Sequence, residues 1–112
     1  MEENTFIEHI CDAVEAAHAR IQQDFDHINP VVAVNSKMRS VGIAADLMTI
    51  DCLKSGKRIL IVVHDALPET VDYQFCRRDA DPHDEFERIA LENLTAQQLY
   101  TWMRDTFKPL IT

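Results

Sequence analysis

Ile59-Leu60-Ile61-Val62-Val63 is the longest uninterrupted aliphatic run in the chain. Five β-branched or leucine residues in a row cannot all face one side of a strand, so the run predicts a central strand covered on both faces. The segment after it fixes its partner. Ala66-Leu67-Pro68-Glu69-Thr70 has turn composition, and then Val71, Tyr73 and Phe75 alternate with Asp72, Gln74 and Cys76. That alternation is the pattern of a strand with one wet face. A β-hairpin over about 57–77 is therefore the element around which the chain is placed.

Upstream, Phe6, Ile7, Ile10, Val14, Ala17, Ile21, Phe25 and Ile28 recur at helical spacing and predict an amphipathic helix over 4–28. Asn4 or Thr5 can cap its start, and Asn29-Pro30 ends it because the residue before proline is pushed out of the α region. Its length at helical rise, about 37 Å, exceeds what a small domain needs. A homodimer sharing this helix is accordingly the expected partner arrangement. Pro30 to Val34 can be extended. Asn35 and Ser36 resemble caps for a second helix through about Ser55, with Met38, Val41, Ala45, Met48 and Cys52 on one face and Ile43, Leu47 and Ile50 on the other. Apolar residues on two faces leave a competing reading, in which Leu47 to Leu53 is a strand hairpinned through Lys54-Ser55-Gly56. The helix is preferred for Ala44-Ala45, Leu47-Met48 and the placement of Gly56 after it. Residues 86–91 fit a short strand or a frayed helix. Thr95 with Gln98 three residues on is a capping-box pattern, opening a C-terminal helix whose apolar face carries Leu99, Tyr100, Trp102, Met103 and Phe107. The fold expected is α+β in one domain over 1–112: a long N-terminal helix and a second helix on a small antiparallel sheet, closed by a C-terminal helix.

Composition narrows the function classes. With 46% apolar and 27% charged residues the chain is a globular one rather than a disordered one. Acidic Met1-Glu2-Glu3 with no apolar stretch behind it is not a secretory leader, and the run at 59–63 is far too short to cross a bilayer. Cys11, Cys52 and Cys76 are odd in number and widely spaced, which fits reduced thiols in the cytoplasm better than disulfides or a zinc site. The net charge of −8 repels nucleic acid and anionic membrane at long range. The acids crowd the ends: residues 1–29 hold seven against Arg20 alone, whereas residues 30–63 hold five bases against Asp46 and Asp51.

Five groups of residues carry chemistry worth weighing. Lys37 and Arg39 open the expected second helix, and the ends of an antiparallel hairpin bring Lys57-Arg58 beside Arg77-Arg78. These six bases form a candidate anion or nucleotide site, set against the plainer reading of a salt-bridge patch. Ser55-Gly56-Lys57-Arg58 is not a phosphate loop, because Asp51 stands where the first glycine belongs and a strand follows rather than precedes it. His64-Asp65 ends the central strand, where sheets present functional groups, and is the weak catalytic candidate, with Cys52 or Tyr73 as conceivable neighbours. Asp79, Asp81, His83 and Asp84 could hold a divalent ion, but the calcium-loop pattern fails at its glycine position and at Ala90 in its last. His9, His18 and His27 lie on one helix at nine-residue intervals, so His9 and His27 are about 27 Å apart and cannot share a metal. No cofactor is expected. The leading functional expectation is an acidic cytoplasmic protein-interaction or regulatory domain, leaning away from an enzyme. It rests on the overlong helix, the aromatic last helix and the lack of an intact catalytic motif.

Overall fold

In a computed structural model, which describes residues 5–25, 29–35, 37–67, 69–79 and 85–107, the aliphatic run is the middle of β3 (Lys57–His64), the central strand of five. Every residue from Ile59 to Val63 is 5% exposed or less. The other strands are β1 (Val31–Asn35), β2 (Ala45–Cys52), β4 (Thr70–Arg77) and β5 (Glu87–Ala90). They pair antiparallel in the order β1-β2-β3-β4-β5, so each strand lies beside its neighbours in sequence. Helices α1 (Thr5–Asp24) and α3 (Ala96–Phe107) cover one face of this meander, and α2 (Lys37–Ser40) is a single turn joining β1 to β2. A short 3₁₀ turn, Leu91–Asn93, links β5 to α3. The α+β class expected from the sequence is the one observed.

The register follows from the side-chain pattern. On the helix-covered face Met48 lies opposite Ile61, Ile50 opposite Ile59, and Val71 opposite Ile89. These strand residues pack with Ile10, Val14, Ala17 and Ile21 of α1 and with Leu99, Trp102, Met103 and Phe107 of α3. Tyr73 stacks on Trp102 with ring centroids 4.4 Å apart, and Phe75 meets the same indole edge-on at 5.6 Å. The opposite face is open among the described residues, yet its centre is dry. Leu60, between Thr49 and Gln74, and Val62, between Leu47 and Asp72, are nearly as buried as the core.

The second helix expected through about Ser55 is not there: after the one turn of α2 the chain becomes strand β2, the competing reading. The reason is visible in what each face meets. Met48, Ile50 and Cys52 enter the core, whereas Leu47, Thr49 and Asp51 lie on the open face between β1 and β3. A strand flanked on both sides needs apolar residues at consecutive positions, and cross-strand packing outweighs the helix propensity of Ala45, Leu47 and Met48. Gly56 accordingly serves the β2–β3 turn rather than a helix end. It sits at φ +73° in the left-handed region, and a Cβ there would meet the Arg77 guanidinium at 3.0 Å.

Other boundaries shift less. α1 stops at Asp24, so it is about 30 Å long rather than 37 Å. Residues 26–28, like Asn4, Ser36 and Pro109, lie outside the described residues. The strand alternative for 86–91 is realised as β5 followed by the 3₁₀ turn. Thr95 Oγ1 accepts from Gln98 N–H at 3.1 Å, which is the N-terminal half of the expected cap. The wet face expected of β4 is not uniformly wet. Gln74 is buried, with its amide donating to the Glu85 carbonyl at 3.0 Å, while Phe75 on the helix side is 40% exposed.

Candidate functional site

Two helices cannot roof five strands. At about 4.8 Å between strands and about 10 Å per helix, α1 and α3 match roughly four strands, so one edge of the helix-side face must overhang. The overhang is β1. Its helix-side residues Val32 and Val34 are 38% and 45% exposed, although they are aliphatic residues in a regular strand, and Val31 on the open face is 43% exposed. Nine large hydrophobic residues among the described ones are exposed; five of them belong to β1 or the β1–β2 connection, Val31, Val32, Val34, Val41 and Ile43, and a sixth, Leu53, is in the β2–β3 turn beside the start of β1. Exposure is thus concentrated on one side of the molecule rather than scattered.

Between that strand and the flank of α1 runs a groove of about 320 Å³, lined by Cys11, Val14, Glu15, His18, Pro30 and Val32. A smaller hollow of about 160 Å³ lies at the start of β1, among Asn29, Cys52, Leu53 and Lys54. His18 anchors the groove: its Nε2–H donates to the Pro30 carbonyl at 3.0 Å, and because a carbonyl only accepts, the ring proton sits on that nitrogen. The Cys11 thiol is pushed up from its ordinary value by burial and by the carboxylates of Asp12, Glu15 and Glu8, so it stays protonated and weakly nucleophilic.

Among the described residues, the outer edge of β1 is also a row of unpaired backbone groups. Asp65 N–H donates to the Ala44 carbonyl at 2.9 Å. In an antiparallel ladder successive residues point their polar groups to opposite sides, so the even-numbered residues of β2 bond to β3 and the odd-numbered ones to β1. Through the register Val31↔Asp51, Ala33↔Thr49 and Asn35↔Leu47, three residues of β1 are engaged with β2. Val32 and Val34 therefore turn their N–H and C=O groups outward. The other edge of the sheet is managed differently. There the outward residues of the four-residue β5 are Arg88 and Ala90, and Arg88 is tied to Asp72 at 2.7 Å. Short length and charge blunt an edge, and β1 has no charged residue at all.

Three arginines of the basic cluster are held in ion pairs. Lys57 and Arg77 are register partners at the β2–β3 turn end, as the hairpin argument requires, but Asp51 is the centre of the group. Arg58 grips it with two hydrogen bonds of 2.7 and 2.9 Å, and Arg78 approaches it at 3.7 Å. The bond to Asp51 raises the Arg58 guanidinium above its ordinary value. Arg77 pairs with Asp79 at 3.1 Å, and that partner holds the Asp79 carboxyl below the usual carboxylate range. Lys37 and Arg39 do not join them. α2 follows Asn35, which lies opposite Leu47, so its backbone is at the His64 end of the sheet, on the order of 17 Å from the Lys57 end at strand rise. Their side chains are outside the described residues.

His64 lies on the open face, with Nε2 3.4 Å from Asp72 Oδ2. Neither conceivable neighbour is near its imidazole. Cys52 is at the other end of β2, and Tyr73 is on the helix-side face. Asp65 sits in the turn beyond, with its N–H engaged by Ala44. Of the acidic loop, Asp79 is bound to Arg77, while Asp81, His83 and Asp84 lie outside the described residues, among which no group of three metal-ligating side chains converges.

The described stripe of α1 that suggested a dimer is covered within its own chain: Ile10, Val14, Ala17 and Ile21 are at most 3% exposed. Tyr100, Trp102 and Phe107 of the aromatic last helix are buried too. Tyr100 donates its hydroxyl to Asp24 and lies under the Arg20 guanidinium, 4.2 Å from the ring centroid, locking α3 to the end of α1. Sequence reasoning passed over β1 as the exposed element and Asp51 as the counter-ion. The signal for the first was a Val-Val-Ala-Val run without a charge. The signal for the second was its place as one of only two acids in a segment otherwise basic. No protein-family model matches the chain, and no curated protein or solved structure is significantly similar to it.

Proposed function

We propose that this chain is a protein-interaction domain that works through its β1 side rather than by catalysis. The observation that carries the proposal is the gathering of six of nine exposed large hydrophobic residues on β1, the β1–β2 connection and the β2–β3 turn beside it. An exposed apolar strip with unpaired backbone groups along it offers two kinds of binding at once. Main-chain hydrogen bonds give affinity to an added strand, and the α1–β1 groove receives its alternate side chains. The groove suits aliphatic side chains, since Val14, Pro30 and Val32 form much of its lining and its charged group, Glu15, stands beside His18. Homodimerisation, expected on α1, is retained with its contact moved to this flank. A cytoplasmic location belongs to the same proposal and is supported by three unbridged cysteines. No helix among the described residues is long and apolar enough to cross a membrane.

Site-specific photocrosslinking tests the reading. A benzophenone amino acid replaces Val34 in one variant and Arg88, at the opposite sheet edge, in another, and the producing cells are irradiated. Polypeptide adducts at position 34 and few at 88 are expected. Equal labelling at both edges, or none at 34, would overturn the proposal.

A further inference from the structure

We infer that the occupant of the β1 edge is a second copy of this chain, joined by antiparallel β1–β1 pairing about a two-fold axis through Ala33, so that two five-stranded sheets become one of ten. The inference rests on the interaction reading above and names its partner.

The strand is self-complementary about Ala33, using only residues within β1. With Ala33 opposite Ala33 of the second copy, Val32 meets Val34 and Val34 meets Val32. These are the two residues whose N–H and C=O groups point outward, so each such pair exchanges both hydrogen bonds. Sliding the axis to Val32 would set Val34 against Pro30. Proline has no N–H, and the Pro30 carbonyl is already taken by His18. The central register is thus the one in which Val32 and Val34 satisfy each other, using neither Pro30 nor, as an axis at Val34 would, a residue beyond the end of β1.

Side chains agree with the backbone. Val32 and Val34 lie on the helix side of the sheet, opposite Ile50 and Met48, so the pairing gathers four valines between the two α1–β1 grooves. Antiparallel pairing also carries the turn bearing Leu53, at one end of β1, toward the second copy's Val41–Ile43 connection at the other end. Apolar groups exposed at both ends of the strand therefore face each other rather than water. No charged residue lies within β1, so no like charges are opposed across the seam. Six half-exposed aliphatic side chains present on the order of 400 Å² of apolar surface, already the size of a functional patch. That is about half of the roughly 800 Å² each partner contributes to a standard specific interface, before the paired backbone and groove flanks are added.

The experiment is sedimentation velocity on the full chain from about 1 to 500 µM, with three variants. The parent is expected to move from a 12.9 kDa species to twice that mass as concentration rises. V34D, a change at a half-exposed position, sets a carboxylate in the seam twice by symmetry and is expected to weaken association roughly 100-fold or more. Its fold is checked by near-UV circular dichroism of the Tyr73–Trp102 stack. A33C supplies the positive arm. Directly opposed residues that do not exchange hydrogen bonds have Cα atoms about 4.5 Å apart, within disulfide reach, so mild oxidation should link the copies covalently. V31C, whose counterpart lies four residues further along, should link no faster than the parent with its native cysteines. A parent that stays monomeric at 500 µM, or A33C crosslinking no faster than V31C, overturns the inference. A monomeric parent whose position-34 photoadduct contains a different polypeptide removes the second copy but leaves the interaction reading standing. Absence of any adduct removes both.

Discussion

Replacing Asp51 with alanine isolates what the basic end of the hairpin is for. Asp51 is buried, its side chain only 11% exposed, and it accepts two charge-assisted hydrogen bonds from Arg58, which is itself 25% exposed, with Arg78 as a second cation. Fully exposed pairs contribute about 0.2–1 kcal/mol, and breaking a fully buried one costs about 3–5 kcal/mol. A bidentate pair at this intermediate burial falls between, so D51A should cost about 2–3 kcal/mol, most of it the stranding of Arg58 on the sheet. For a chain of this length that lowers Tm by roughly 5–12 °C. Urea denaturation gives the free energy, and the D51A/R58A double variant should recover about 1 kcal/mol or more relative to additivity. The same variant tests the anion reading. With its carboxylate gone, the Arg58–Arg78 pair becomes a cationic site, so phosphate should raise the Tm of D51A and leave the parent unchanged. A loss below about 0.5 kcal/mol, or a phosphate-dependent rise in the parent, would refute the assignment of these arginines to structure.

Two further outcomes follow from displaced titrations. The Tyr100 hydroxyl is raised by its hydrogen bond to Asp24, then by burial, and that of Tyr73 by burial and then by Glu87. Raised acids contribute stability that is complete below their unfolded value near 10 and is lost as pH climbs through the folded value. Urea midpoints should therefore fall as pH rises above about 10, less steeply in Tyr100→Phe; a flat profile contradicts the bond to Asp24. At the groove, Cys11 should alkylate slowly at pH 8 and faster in Glu15→Gln, which removes one of the charges holding the thiol protonated, and an unchanged rate would remove Glu15 from that role.

Much of the fold was written locally. Continuous aliphatic residues at 59–63 required a central strand, alternation over 71–75 supplied its partner, and Thr95 with Gln98 marked the start of α3. These signals act within a few residues, so one sequence suffices to read them. β2 was misread because a strand buried on both faces and a helix buried on both faces look alike at positions 43–52, and only its pairing with β1 and β3 separates them. The same error hid Asp51, which meets Arg58 only if both lie on adjacent strands. The exposure of β1 was beyond local reading for a different reason. Whether Val32 and Val34 are covered depends on how many strands the two helices must roof, a property of the assembled sheet rather than of residues 31–35.

Amide hydrogen exchange at Val32 and Val34 addresses the β1 edge most directly, because it reports the very N–H groups that pairing would engage. Paired β1 edges should give slow exchange of both amides at several hundred micromolar and rapid exchange at about 1 µM, with Arg88 and Ala90 at the other edge rapid throughout. If all four exchange alike and rapidly at every concentration, β1 is an unpaired edge and the two-fold sheet does not form.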